Sequence, residues 1–331
     1  MSGDGPRLSE EGLIARHFAP LAGPGADGLR DDAASLSPTP GHDLVVTVDA
    51  VVAGVHYFPD DPPASVAAKA LGVNLSDLAA KGAAPRGFLL TLALAPDWTE
   101  DWLAAFARGL GEAAALHGCP LLGGDTVRAA GPTLISVTAF GEVPAGGIVR
   151  RGTARAGDLI CVSGTIGDAA IGLRLRLESK TAWARALRPE DRAHLADRYL
   201  HPRPRLALAS AIRRFATAAM DVSDGLAGDL AKMLPGLMGR IETAAVPLSA
   251  AACAAIRLEP ALMEPALTGG DDYEILCTVA PDDLDAFRAQ AAAAGVPVTS
   301  IGTVAAGEGA PVFRGPDGAE RRFPRGSFSH F

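Results

Sequence analysis

Leu44-Val45-Val46-Thr47-Val48-Asp49 is a short apolar run, rich in β-branched residues, that closes on a carboxylate. Such a run reads as a buried strand. Just downstream, Pro62-Pro63 opens a segment of helical composition that continues to about Lys81. Proline is tolerated in a first helical turn because its missing N–H has no partner there anyway. Strands and helices continue on either side, without a tandem repeat of fixed period.

Upstream, Ser9 before Glu10 and Glu11 predicts a capped helix start, with Leu13, Ile14, Phe18 and Leu21 as its apolar stripe. A Gly/Asp-rich loop follows and ends in Asp31-Asp32-Ala33-Ala34. Downstream, a strand is expected over 88–94, then a helix capped by Thr99 and stopped by Gly118. Further strands are expected over 120–122 and 133–141. Around 146–157 the apolar periodicity lapses into a Gly/Arg stretch, which sets a boundary between an N-terminal domain, 1–147, and a C-terminal domain, 148–331. The second half restarts with a strand over 158–163. Helices are expected near 167–178, 189–199 and 203–216, then a strand over 218–222 and a helix from Asp224. A strand over 273–279, a helix over 281–294 and a strand over 296–304 complete it. Strands and helices mix in both halves, so each is α/β or α+β.

The 331 residues suffice for two domains, and the balance of 48% apolar to 21% charged residues is that of a globular chain. The net charge of −8 and the lack of a dense Lys/Arg block exclude an electrostatic nucleic-acid footprint. Only Lys69, Lys81, Lys180 and Lys232 are lysines. An acidic protein that handles an anionic substrate recruits cations. Cys119, Cys161, Cys253 and Cys277 form no CxxC pair and sit among apolar residues, as buried free thiols do. The opening Met-Ser-Gly-Asp-Gly lacks signal-peptide regions, and the longest uncharged run, 289–307, is broken by Gly295, Pro297 and Ser300. A cytoplasmic location without membrane partners is the expectation.

The informative feature is a scatter of short acidic motifs at expected element ends. They are Asp31-Asp32, Thr47-Val48-Asp49, Asn74-Leu75-Ser76-Asp77, Gly123-Gly124-Asp125-Thr126, Asp221-Val222-Ser223-Asp224-Gly225 and Gly269-Gly270-Asp271-Asp272-Tyr273-Glu274. Hard cations such as Mg²⁺ take carboxylate oxygens and leave the remaining positions to phosphates and water. Each motif also has a bland reading. Asp31-Asp32 and Asp49 suit solvated turns, Gly123-Gly124 suits a tight turn, and Asp77 with Lys81 suits a surface helix pair. Yet Asn74, Asp77 and Lys81 share a stripe bordered by Leu71, Val73, Leu75 and Leu78, so that stripe need not face water. Ser223 or Asp224 can cap the following helix, whereas Asp221 has no capping task. Six such motifs in one chain outweigh the bland readings of each. No Gly-x-x-x-x-Gly-Lys-Ser/Thr exists, which excludes a P-loop, and the protein-kinase motif set is absent too. Gly123-Gly124, with Asp125 beside it, is the nearest backbone cradle for phosphates.

These motifs, together with Val52-Ala53-Gly54-Val55-His56, Lys69-Ala70-Leu71 and the final Phe328-Ser329-His330-Phe331, closely resemble the thiamine-monophosphate kinase family over nearly the whole chain. That family lies in the aminoimidazole ribonucleotide synthetase superfamily. The resemblance implies a two-domain fold of that type: an N-terminal domain pairing its sheet across a homodimer, and a C-terminal α+β domain beside the ATP cleft. It implies phosphorylation of thiamine phosphate to thiamine diphosphate by ATP with several Mg²⁺ ions. Asp32, Thr47, Val48 (through its carbonyl), Asp49, Asp77, Asp125, Asp221 and Asp224 would hold metal. Gly124, Asp125, Arg151 and Ser223 would contact ATP, and His56, Asp271 and Phe328 would contact thiamine phosphate. No side chain is expected as a catalytic base, because the acceptor phosphate already carries a nucleophilic oxyanion.

Three departures from the family pattern stand out. Arg30 replaces the usual Gly before the paired Asp, Val48 replaces a hydroxyl residue, and Asp271 replaces a Glu. Ser327 and Ser329 also replace the Gly and Asp usual in the tail. The alternatives are another ATP-using enzyme of the superfamily or a nucleotide-binding protein without catalysis. Selenophosphate synthetase needs a reactive Cys or selenocysteine near the N-terminus, and the first cysteine here is Cys119. A hydrogenase-maturation relative would end on Cys, whereas this chain ends His-Phe.

Overall fold

The structure is a computed structural model, and it describes residues 8–323 and 326–327. The chain divides into two compact units, residues up to 74 with 85–142, and residues 75–84 with 143 onward.

The first unit holds a four-stranded sheet of β1 (His42–Val52), β2 (Ala84–Leu94), β3 (Leu121–Arg128) and β4 (Leu134–Pro144), in the order β1-β4-β2-β3. Strands β2 and β3 run parallel, with Leu90 opposite Gly124 and Thr91 opposite Asp125. Period-two alternation decides which face is buried. Phe88, Leu90, Leu92 and Leu94 of β2 and Ile135, Val137 and Ala139 of β4 are buried. Leu44, Val46 and Val48 of β1 lie on the other face and are exposed, Val48 to 60%. β1 is therefore an amphipathic strand with an open apolar side, not the buried strand that its composition suggested. It also runs past Asp49 to Val52, so that aspartate sits within the strand.

Two long helices belong to local signals that the sequence carries plainly. Glu100–His117 starts where the Thr99 hydroxyl accepts the Trp102 N–H and stops at Gly118, whose φ of 60° suits the left-handed cap. The cap is worth about 1 kcal/mol. Its buried Leu103, Phe106 and Leu110 contribute about 1.5–3 kcal/mol each. Pro63–Ala80 is buried nearly all round, and so is Asn74, as the bordered polar stripe predicted.

The second unit is built on a seven-stranded sheet of β5 (Leu159–Ser163), β6 (Ala216–Asp221), β7 (Leu237–Glu242), β8 (Ile275–Val279), β9 (Val298–Ala306), β10 (Val312–Arg314) and β11 (Glu320–Arg321). Its order is β11-β10-β7-β9-β5-β8-β6. The central pairs are antiparallel, and β10 lies parallel to β7. Successive residues of β5 feed opposite cores. Ile160 and Val162 join Leu226, Leu230, Met233 and Phe313, while Cys161 joins Ile212, Phe215, Cys277 and Phe287. Helices therefore cover both faces of this largely antiparallel sheet. The segment expected as one helix over 203–216 is a 3₁₀ turn, Leu206–Leu208, followed by the short helix Ala209–Phe215. Among the described residues no helix is long and apolar enough to cross a membrane.

Candidate active site

In the first unit, a cavity of about 840 Å³ joins motifs that lie some ninety residues apart in sequence. Asp31 and Asp32 line one part of its wall, and Gly123, Gly124, Asp125 and Thr126 another, with Phe18, Leu89 and Phe140 as apolar lining. The approach to Asp32 is a turn in which Gly28 and Leu29 take φ of 63° and 58°, and the Asp32 N–H donates to Asp31 Oδ1. Gly123-Gly124-Asp125-Thr126 does not form the tight turn of its bland reading, because β3 runs straight through it. Gly124 adopts φ 156°, and a Cβ there would stand 1.8 Å from the Leu90 carbonyl oxygen. Glycine is therefore demanded by the neighbouring strand, and Asp125, paired with Thr91 in the same ladder, lines the cavity wall.

Thr47, Val48 and Asp49 do not line this cavity. The Asp49 N–H donates to Asn74 Oδ1 at 2.9 Å, and Asn74 Nδ2 donates to the Ala70 carbonyl, so the buried amide pins β1 to the helix. His56 also has a fixed ring. The Val52 N–H donates to its Nδ1 at 3.0 Å, and Lys69 Nζ donates to its carbonyl at 2.9 Å. With Nδ1 accepting, the neutral ring carries its proton on Nε2 and can donate from there.

In the second unit, Asp77 and Asp221 both lie within electrostatic reach of Lys81, whose Nζ donates to the Ala219 carbonyl at 2.7 Å. Burial holds the Lys81 ammonium below its ordinary value of 10.5. Asp77 and Asp221 oppose that shift, and Arg151 and Arg150 add to it. Arg151 thus lies within electrostatic reach of Lys81.

Ser223 and Asp224 sit on the loop after β6, which is stitched to the loop before β8. The Asp271 N–H donates to the Ser223 carbonyl and the Tyr273 N–H to the Val222 carbonyl, each at 2.9 Å. The helix that follows begins at Leu226, two residues later than expected, and neither Ser223 nor Asp224 caps it. Instead, Asp229 reaches back from within the helix. Its Oδ2 accepts the N–H groups of Ser223, Asp224 and Gly225 at 2.9–3.1 Å. Lys232 bridges Asp224 and Asp229. Strand β8 begins at Ile275, so the 269–274 motif is wholly loop. Asp271 and Tyr273 take φ of 74° and 51° there, each a strain on the order of 1–3 kcal/mol.

Sequence reasoning set Lys81 on one stripe with Asn74 and Asp77 but gave it no role here, and it did not single out Asp229 or Lys232. A lysine four residues after Asp77, in a chain with few lysines, was the available signal for the first. For Asp229 the sequence carries none. Phe328 lies outside the described residues.

The donor set fits Mg²⁺ in kind. Every candidate ligand is an oxygen, with no thiolate or imidazole among them. Among the described residues no group of three His, Cys, Asp or Glu side chains forms a self-contained metal cage.

Two family models match the chain: AIR synthase related protein, N-terminal domain, over residues 30–143, and its C-terminal domain over 155–313. Thiamine-monophosphate kinase of Caulobacter vibrioides is 43% identical over 91% of this chain and 85% of its own length. Among solved structures, thiamine-monophosphate kinase from Stenotrophomonas maltophilia K279a matches at 41% identity and TM-score 0.78, covering 88% of this chain and 91% of that one. AaThiL complexed with AMPPCP and TMP matches at 30% identity and TM-score 0.77, covering 99% and 100%.

Proposed function

We infer that this chain, which belongs to the thiamine-monophosphate kinase family of AIR synthase-related proteins, transfers the terminal phosphoryl group of ATP to thiamine phosphate, giving ADP and thiamine diphosphate. The observation that carries this reading is the stitched double loop of the second unit. It holds Ser223, an ATP contact by family position, one backbone hydrogen bond from Asp271, a thiamine-phosphate contact by the same criterion. Phosphoryl donor and acceptor would be gripped by adjacent strips of one rigid backbone, which is the positioning that such a transfer requires.

The acceptor is an oxyanion, so the chemical difficulty is repulsion between two phosphate groups rather than removal of a proton. The Nε2–H of His56 donates to an acceptor phosphate oxygen, its direction set by the Val52 N–H on Nδ1. Arg151 offers a fixed fork to a phosphate of ATP. Asp32, Thr47, the Val48 carbonyl, Asp49, Asp77, Asp125, Asp221 and Asp224 would hold magnesium, which when bound supplies charge neutralisation and a template for the phosphates. Lys81, beside Asp77 and Asp221, keeps that carboxylate pair partly neutralised.

The protein acts as a homodimer through the open face of the first sheet. Leu44, Val46, Val48 and Val127 are 39–60% exposed there, an apolar patch of the kind that marks an interface. A second copy of the same face is its self-complementary cover. The cytoplasm is its compartment, in keeping with four free cysteines.

The test is chromatographic detection of thiamine diphosphate after incubation with ATP, Mg²⁺ and thiamine phosphate, with EDTA as control. Product that vanishes with EDTA is expected. ATP binding without product, seen as a thermal shift, would instead make the chain a nucleotide-binding protein or an enzyme for another acceptor.

A further inference from the structure

Beneath the 269–274 loop lies a buried ion network that none of the site residues above explains. Glu274 is fully buried. Its carboxylate accepts from Ser163 Oγ at 2.6 Å, from Arg198 Nη2 at 3.0 Å and from both Nε and Nη2 of Arg205. Arg198, on the helix Pro189–Leu200, also donates to the Asp272 carbonyl at 3.3 Å, so a single guanidinium straddles Tyr273. The Asp272 carboxylate accepts the N–H groups of Gly167 and Ala169. Ser163 in turn accepts the Ile275 N–H at 2.8 Å. The backbone makes room for this arrangement: at Gly164, with φ of 55°, a Cβ would stand 2.2 Å from Glu274 Oε1 and 2.6 Å from Arg205 Nη2.

Stability alone does not account for such a network. A buried Arg–Glu–Arg cluster is often no better than well-packed apolar residues of the same volume. Arg198 Nη1 is, moreover, buried without a hydrogen-bond partner among the described residues. What the network does govern is local geometry. Along the loop, Asp272 and Glu274 are buried while Asp271 and Tyr273 are half-buried, and those two carry the left-handed backbone.

We propose that Arg198, Arg205 and Glu274 are positioning residues that hold the 269–274 loop in its strained conformation and so present Asp271 to the phosphate acceptor. This rests on the thiamine-phosphate reading above. A misplacement of about 1 Å in a binding group can cost about a hundredfold in rate, so a small relaxation of the loop is measurable.

The experiment compares wild type with E274Q, R198K and S163A, varying thiamine phosphate and ATP separately and following thermal unfolding of each protein. E274Q and R198K are expected to raise KM for thiamine phosphate by about tenfold or more. KM for ATP should stay within about twofold, with cooperative unfolding retained. S163A removes one hydrogen bond to Glu274 and is expected to raise KM for thiamine phosphate by about twofold to fivefold. It decides the matter should E274Q not fold. Folded variants with unchanged KM for thiamine phosphate, or with both KM values raised equally, overturn the proposal. A wild-type protein that forms no thiamine diphosphate fails the functional reading and takes the proposal with it. A wild type that turns over beside unaffected variants fails the proposal alone.

Discussion

Substituting Gly124 by alanine, beside the control substitution of Gly123, tests the backbone geometry that carries Asp125. The added methyl at Gly124 would lie 1.8 Å from the Leu90 carbonyl oxygen, 2.7 Å from its carbonyl carbon and 2.9 Å from its nitrogen. An ordinary C···O contact is about 3.3 Å or more, so β3 would have to retreat from β2 by roughly 1.5 Å. These strands are hydrogen-bonded neighbours through Leu89–Gly123, Leu90–Gly124 and Thr91–Asp125, and Leu90 is buried, so neither can yield cheaply. Overpacking of this kind costs about 1–3 kcal/mol, and a lost ladder hydrogen bond adds about 1 kcal/mol. The φ of 156° at Gly124 adds further strain on the order of 1 kcal/mol for a residue with a Cβ. The sum, about 3–5 kcal/mol, is a large part of the 5–15 kcal/mol available to a folded chain. It corresponds to a fall in Tm of roughly 6–20 °C. At Gly123 the added methyl meets only Leu89 Cδ2, the movable end of a side chain, at 3.3 Å. G123A should therefore stay within about 1 kcal/mol of wild type, or gain slightly from the stiffer unfolded chain. Differential scanning calorimetry on the two variants reads the contrast, and KM for ATP should rise in G124A because Asp125 moves with the strand. Equal Tm values for G123A and G124A would refute the close approach of β3 to β2.

Two further outcomes are expected. D125N keeps the shape of an exposed side chain on the cavity wall, so kcat should fall by at least about a hundredfold while Tm changes by no more than a degree or two; a folded variant with normal turnover would remove Asp125 from the phosphate and metal chemistry. Glu142 supplies a pH test. Burial raises its pKa, but the Thr39 hydroxyl and N–H and the Arg86 guanidinium outweigh that and hold it below the ordinary 4.5. A depressed carboxylate stabilises the fold above its unfolded pKa and loses that contribution as pH falls through its folded value. The Tm gap between wild type and E142Q should thus be a few degrees at pH 7 and narrow below about pH 4.5, and a gap that widens on acidification would reverse the assigned sign.

Much of the fold was legible because its signals are local. The helix Glu100–His117 follows from Thr99, a spaced apolar face and Gly118, all within twenty residues. What stayed open or went wrong lies where a distant partner decides. A turn was only one reading of Gly123-Gly124, and the pairing with Leu90 is what shows that glycine serves a close approach within a strand. The helix after β6 was expected from Asp224, but the Asp229 carboxylate takes the three preceding N–H groups into a loop that no helix propensity describes. The approach of Asp32 to Asp125 across a cavity, and of Arg198 to Glu274 in the core, each spans more than seventy residues of sequence. Composition and spacing indicated an oxygen-rich site for a hard cation. The roles of individual residues came from resemblance, and the geometry added the groups that hold them.

The departures at positions 30, 48 and 271 fall where the local backbone accommodates them. The left-handed turn before the paired aspartates uses Gly28 and Leu29, whereas Arg30 has φ of −112°, so no glycine is needed at that position. Val48 lies on the open apolar face with Leu44 and Val46, while Thr47 and Asp49 alternate to the opposite side of β1. A valine there enlarges the exposed apolar face and leaves the side chains of Thr47 and Asp49 in place. Position 271 has φ of 74°, a conformation that aspartate tolerates better than glutamate because its short side chain can hydrogen-bond locally. The lost methylene shortens the reach of the carboxylate but lowers the strain of the loop that carries it. In the role proposed for Asp271, the substrate would be held closer to the loop, which would place a tighter demand on the buried ion network beneath it than a glutamate does.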